Sequence, residues 1–156
     1  MGVADANSNR DIHGGTIMKF VDEAAGIASV RHSRQRTVTA SIDRMSFLVP
    51  IKIGQLVTFT ATVNCAWNTS MEVGVRVEAE DPRTGLVQHA STAYLTFVAL
   101  DDDGRPTPVP GLEPQTTDEE RRMREAEIRR SHRLAEREAI EHGRKPPDDA
   151  SPAVTD

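Results

Sequence analysis

Apolar and polar residues follow two rhythms along this chain. Over residues 16–32 the apolar positions Ile17, Phe20, Val21, Ala24, Ile27 and Ala28 recur at helical spacing, while Ala25 and Gly26 thin another side. Few positions there are strongly polar, so the pattern predicts a helix wrapped by protein on most sides. Arg31 and His32 close it, where cations suit the negative end of a helix dipole. The rhythm then changes to a period of two. Residues 37–47 are rich in Thr, Val and Ile. Over 56–67, Val57, Phe59, Ala61, Val63, Cys65 and Trp67 alternate with Thr58, Thr60, Thr62 and Asn64. Over 71–80, Met71, Val73, Val75, Val77 and Ala79 oppose Glu72, Arg76, Glu78 and Glu80. Residues 89–100 are apolar at both parities beyond Tyr94, which points to a strand covered on both faces. Turn residues separate these segments, and the short links after the second and third favour antiparallel neighbours. One long apolar helix followed by such strands is an α+β order, in which the sheet can curl around the helix.

From Asp101 the character changes. A turn and the proline-rich stretch 106–114 lead to Thr116 or Thr117 with Glu119 or Glu120, the pattern of a capping box. The domain expectation is a core unit over 1–114, a charged helix over 115–142 and a disordered tail over 143–156. Met123, Ile128, Leu134 and Ile140 form no continuous stripe, so that helix is expected to be solvated or loosely docked.

Composition adds limits. The 156 residues suit one domain with appendages, and a net charge of −5 argues against a uniform basic surface for nucleic acid. The single cysteine, Cys65, permits no internal disulfide, and its strand parity predicts core packing. No apolar run approaches the ~20 residues needed to cross a bilayer, and no basic–apolar signal pattern opens the chain. The expectation is a soluble cytoplasmic protein without membrane insertion.

Chemistry concentrates before and within the first helix. The stretch Asn7-Ser8-Asn9-Arg10-Asp11-Ile12-His13-Gly14-Gly15 is an amide-rich turn ending in a double glycine at a helix start. Glycines let backbone N–H groups approach a ligand, and the helix start directs positive charge at it. Asp22 is the awkward carboxylate of the apolar segment, about two turns or roughly 9 to 10 Å along the axis. It reads either as a base or as a surface acid pairing with Lys19. Ser70 is either turn chemistry or a substrate contact. His13 beside the glycines has no second ligand at metal spacing, so no metal is expected.

These residues carry a family resemblance. The turn 7–15, the helix 17–28 with Arg31-His32, Val38-Thr39-Ala40-Ser41-Ile42-Asp43, Thr69-Ser70-Met71-Glu72-Val73 and the proline-rich exit 106–110 resemble the hotdog-fold acyl-CoA thioester hydrolases of the brain-type cytosolic kind. The likeness spans nearly all of residues 5–120. It implies a helix wrapped by an antiparallel sheet, a homodimer with a continuous sheet, and trimers of dimers. It also implies that Asp22 and Asn7 form the catalytic pair, contributed by different protomers. The departure is Arg10, where the family usually has glycine.

A thioester needs a water, a polarised carbonyl and an exit for a thiolate, which leaves without a strong acid behind it. Asp22 is therefore assigned as general base, with direct nucleophilic attack as a variant. Asn7 would orient the water or the carbonyl, and the Gly14 and Gly15 N–H groups would hold the oxyanion, with His13 and Ser70 nearby. Arg31 and His32 either meet CoA phosphates or serve helix-end electrostatics. No cofactor is expected, since CoA is part of the substrate. The competing expectations are a silent acyl-CoA sensor or carrier, and a hotdog hydratase or dehydratase.

Overall fold

The structure, a computed structural model, describes residues 1–43 and 45–144. A short 3-10 turn over Val3–Asp5 precedes helix α1, Gly14–Ser33. Strands β1 Arg36–Ile42, β2 Ser46–Phe47, β3 Leu56–Ala66, β4 Ser70–Asp81 and β5 Leu86–Leu100 follow, and helix α2 spans Thr117–Arg144. The sheet is antiparallel in the order β1-β5-β4-β3, with β2 pairing β5 beyond the end of β1. It cradles α1 on one face and carries α2 on the other, so the fold is the α+β hotdog with an added C-terminal helix. Of the tail expected over 143–156, Gly143 and Arg144 belong to α2 and the rest lies outside the described residues.

Helix α1 begins two residues before the periodic segment because His13 caps it. His13 is extended, and its Nδ1 accepts the Gly15 N–H at 3.2 Å. The helix ends at Arg34, left-handed at φ 57°, whose N–H donates to the Val30 carbonyl at 2.9 Å. Ile17, Val21, Ala25, Ser29 and Ser33 recur every four residues and are buried. They meet a core built from Met71, Val73, Val75, Val77, Leu95 and Phe97. Each fully buried branched or large side chain of this kind contributes about 1.5 to 3 kcal/mol. The two serines are tolerated because they are satisfied: Ser29 Oγ donates to the Gly26 carbonyl at 2.8 Å and lies 2.7 Å from Thr37 Oγ1.

The expectation of a helix wrapped on most sides is corrected within one chain. The sheet covers a single face, leaving Ile27 at 63% and Val30 at 45% exposure, with Met18 and Phe20 also uncovered.

The first strand segment divides at Asp43, whose N–H donates to the Tyr94 carbonyl at 2.9 Å. A second correction concerns β3. The pairing shifts register between Val63 and Cys65, so that Val63 faces Val73 while Cys65 faces Glu72. The extra residue, Asn64, turns the following side chains over. Cys65 is buried as expected, but on the α2 side of the sheet, with Sγ 3.5 Å from Glu127 Oε1.

Helix α2 is the third correction: it is firmly anchored rather than solvated or loosely docked. Glu72, fully buried on the outer sheet face, receives Arg129 through Nη2–Oε1 at 2.6 Å and Nε–Oε2 at 3.1 Å. Asn64 Nδ2 donates to the same carboxylate at 3.0 Å. Arg129 stacks 3.6 Å from the Tyr94 ring centroid, and Arg130 covers Trp67 at 4.7 Å. Arg133 donates to Asp43 at 2.7 Å, tying α2 to the end of β1. The docking face is carried by Arg129, Arg130, Arg133 and Glu127 around the fully buried Ala126, so no apolar stripe announces it.

Candidate active site

Asn7 builds the turn that precedes α1. Its Oδ1 accepts the Asn9 N–H at 2.9 Å and the Asp11 N–H at 3.2 Å, and its own N–H donates to the Asp11 carbonyl at 2.8 Å. The Arg10 N–H donates to the Asn7 carbonyl at 3.0 Å, which closes the turn with Arg10 left-handed at φ 64°. Lys52 pairs with Asp11, and the Ile12 N–H donates to the Ile51 carbonyl at 2.8 Å, so the turn is fastened to the segment before β3. The carbonyl half of the exposed Asn7 amide is thus committed to the backbone. Its NH2 half has no partner among the described residues.

At the helix start, the Gly15 N–H is taken by His13 Nδ1, and the Thr16 N–H donates to the His13 carbonyl at 2.9 Å. Of the two oxyanion donors expected from the double glycine, Gly14 alone keeps an N–H without an acceptor among the described residues. A cleft of about 200 Å³ lies beside it, walled by Ile12, Ile17, Phe47, Val49, Pro50 and Ile51. A methyl group on Gly14 would sit 3.3 Å from the Phe47 ring, so glycine keeps this approach open.

Asp22 is half-buried on α1, eight residues past Gly14, or about 12 Å along the axis. That exceeds the distance expected from sequence because the helix starts earlier. Thr39 Oγ1 on β1 donates to Asp22 Oδ1 at 2.7 Å. One carboxylate oxygen is thereby fixed and the other is left to accept a proton. The rival pairing with Lys19 is not formed; Lys19 Nζ lies 3.7 Å from Glu23 instead.

Within one chain no hydrogen bond joins Asp22 to Asn7 among the described residues. Ser70 shares its strand parity with Glu72, on the sheet face away from α1, so this chain does not bring it to Asp22. His32 Nε2 lies 2.9 Å from the Pro110 carbonyl, which ties the helix end to the proline-rich exit. Arg31 is exposed and has no ion-pair partner among the described residues. No group of three His, Cys, Asp or Glu close enough to hold a metal occurs among the described residues, and no helix there is long and apolar enough to cross a membrane.

Residues 9–86 match the thioesterase superfamily. The chain belongs to that family. A Bacillus subtilis relative, an uncharacterized acyl-CoA thioester hydrolase, is 43% identical over 115 residues, covering 74% of this thioesterase and 67% of the relative. A Staphylococcus aureus acyl-CoA hydrolase, solved with butyryl-CoA, CoA and CoA disulfide, is 36% identical. It superposes with a TM-score of 0.81, covering 93% of this chain and 91% of that one. An apo hexameric acyl-CoA thioesterase is 34% identical with a TM-score of 0.84, covering 87% of each chain. The S. aureus hydrolase has also been solved with an asparagine, an aspartate and a threonine each replaced by alanine, the asparagine variant in complex with CoA.

Thr39 is the residue that sequence reasoning passed over. It sits inside the motif 38–43, where threonine reads as ordinary strand composition. The available signal was its parity: Thr37 and Thr39 both face α1, on a strand surface where apolar residues would be expected.

Proposed function

We propose that this thioesterase hydrolyses acyl-CoA thioesters to a free carboxylic acid and CoA. In this mechanism the free Asp22 oxygen takes a proton from water as the water oxygen attacks the thioester carbonyl. The developing oxyanion lies against the Gly14 N–H of the protomer that supplies Asn7, a type of contact whose loss costs about 3 to 4 kcal/mol in transition-state energy. Asn7 NH2, supplied by the neighbouring protomer, orients the water or the carbonyl. Collapse of the tetrahedral adduct breaks the C–S bond, and the CoA thiolate leaves with the pair of electrons. Arg31 offers its cation to the phosphates of CoA.

The Thr39–Asp22 hydrogen bond carries this reading, because it holds a half-buried carboxylate in one orientation with an oxygen to spare. Chain spacing supports it. The three residues replaced in the S. aureus hydrolase stand 15 and 17 apart, the intervals that separate Asn7 from Asp22 and Asp22 from Thr39. The uncovered apolar side of α1 supports a homodimer, and the hexameric neighbour supports a trimer of such dimers.

The test is thiol release from acyl-CoA esters of several chain lengths, comparing wild type with Asp22→Ala and Asn7→Ala. Release should fall by about 10² to 10⁴ in the aspartate variant. Folded wild-type protein that frees no thiol above the blank, or an undiminished Asp22→Ala, would end the reading.

A further inference from the structure

We propose that Arg10 determines specificity by receiving an anionic group of the substrate within reach of the Asn7 turn. The inference rests on the thioesterase reading above and extends it to a residue outside the catalytic set. Arg10 stands at φ 64°, a conformation that a Cβ-bearing residue enters against steric resistance. The turn-closing bond from the Arg10 N–H to the Asn7 carbonyl holds that conformation, while the exposed guanidinium has no ion pair and no hydrogen bond among the described residues. The acids nearest in sequence are already engaged. Asp11 is paired with Lys52, and Asp5 accepts the Gly2 N–H at 2.9 Å.

Position gives the unspent charge its target. The Arg10–Asn7 hydrogen bond makes this a four-residue turn, so the two Cα atoms lie within about 7 Å. The guanidinium therefore reaches no further from Asn7 than one turn plus its own side chain. A planar donor fork of this kind matches a carboxylate or a phosphate in two parallel hydrogen bonds. Such an anion on the substrate has two sources: a carboxylate at the far end of a short acyl group, or a phosphate of the CoA half.

Two ratios of kcat/KM separate them. The first compares adipoyl-CoA with hexanoyl-CoA, which differ by a terminal carboxylate. The second compares hexanoyl-CoA with hexanoyl-pantetheine, which lacks the phosphates. Arg10→Gln should lower one of these ratios by about tenfold or more, through KM rather than kcat, and Arg10→Lys should restore part of it. Arg10→Gly, which removes the backbone strain as well as the charge, should match the glutamine variant. A fall in the first ratio assigns the anion to the acyl group; a fall in the second assigns it to CoA. If neither ratio moves while the esters are still hydrolysed, the role of Arg10 is refuted and the thioesterase reading stands. Wild-type protein that cleaves none of the three esters ends both.

Discussion

Arg129→Met should cost this protein about 3 to 5 kcal/mol of stability, the range for breaking a buried ion pair from one side. The magnitude follows from Glu72, whose side chain is 0% exposed and whose two oxygens both accept from Arg129. Without that guanidinium the carboxylate stays under α2 with Asn64 and, at 3.7 Å, Arg133. A chain of this length shifts its Tm by about 2 to 4 °C per kcal/mol, so the midpoint should fall by about 6 to 20 °C. The second arm is Arg129→Met combined with Glu72→Gln, which removes the orphaned charge and keeps an oxygen for Asn64. Paired removal of a buried ion pair is often neutral, so most of the loss should return. Denaturant and thermal unfolding at fixed protein concentration measure both variants. A single variant that loses under about 1 kcal/mol, or a double variant no better than the single, would refute the buried-anchor account of α2.

Other outcomes follow from the same geometry. Thr39→Ala should leave unfolding midpoints nearly unchanged while kcat for thiol release drops by about 10²-fold, because the Asp22 carboxylate loses its orienting donor; unchanged kcat would remove Thr39 from the site. Gly74→Ala should destabilise by about 1 to 3 kcal/mol in urea titration, since its Cβ would lie 2.7 Å from Asn64 Nδ2 and displace that amide from Glu72; a neutral result would mean Asn64 can move freely. Burial, then the hydrogen bond and negative charge of Glu127, push the Cys65 thiol up to about 12 from 9.0. Native protein should resist thiol reagents at pH 8 and react only on unfolding. The unfolded chain gives up this proton above about pH 9 while the folded chain keeps it, so the thiol's contribution to stability declines as pH rises from 9 towards 12. Rapid native labelling, or stability that climbs across that window in wild type but not in Cys65→Ala, would contradict this.

The helix, the strands and the Asn7-to-Gly15 turn were legible in the sequence because each follows a local rule. Period 3.6, period 2 and turn chemistry do not depend on distant partners. Three features escaped for the opposite reason. The side of the sheet that Cys65 occupies depends on one unpaired residue in β3, which alternation alone does not mark. The anchoring of α2 depends on Arg129 finding Glu72, 57 residues away, through groups that read as solvent-facing. The bond between Thr39 and Asp22 spans 17 residues and joins a helix to an adjacent strand. Even the double glycine was only half legible: His13 caps the helix and consumes one of the two N–H groups that the motif offers.

The bulge at Asn64 has one more consequence. The first part of β3 is matched by its side chains to α1, and the part after the bulge to α2. Sliding this strand by a single position against β4 would offend both layers together, exposing Phe59 and Val63 at one end and trapping mismatched polar groups at the other. A strand anchored by two opposed preferences has only one alignment available. That protects an edge of the sheet from slipped pairings during folding.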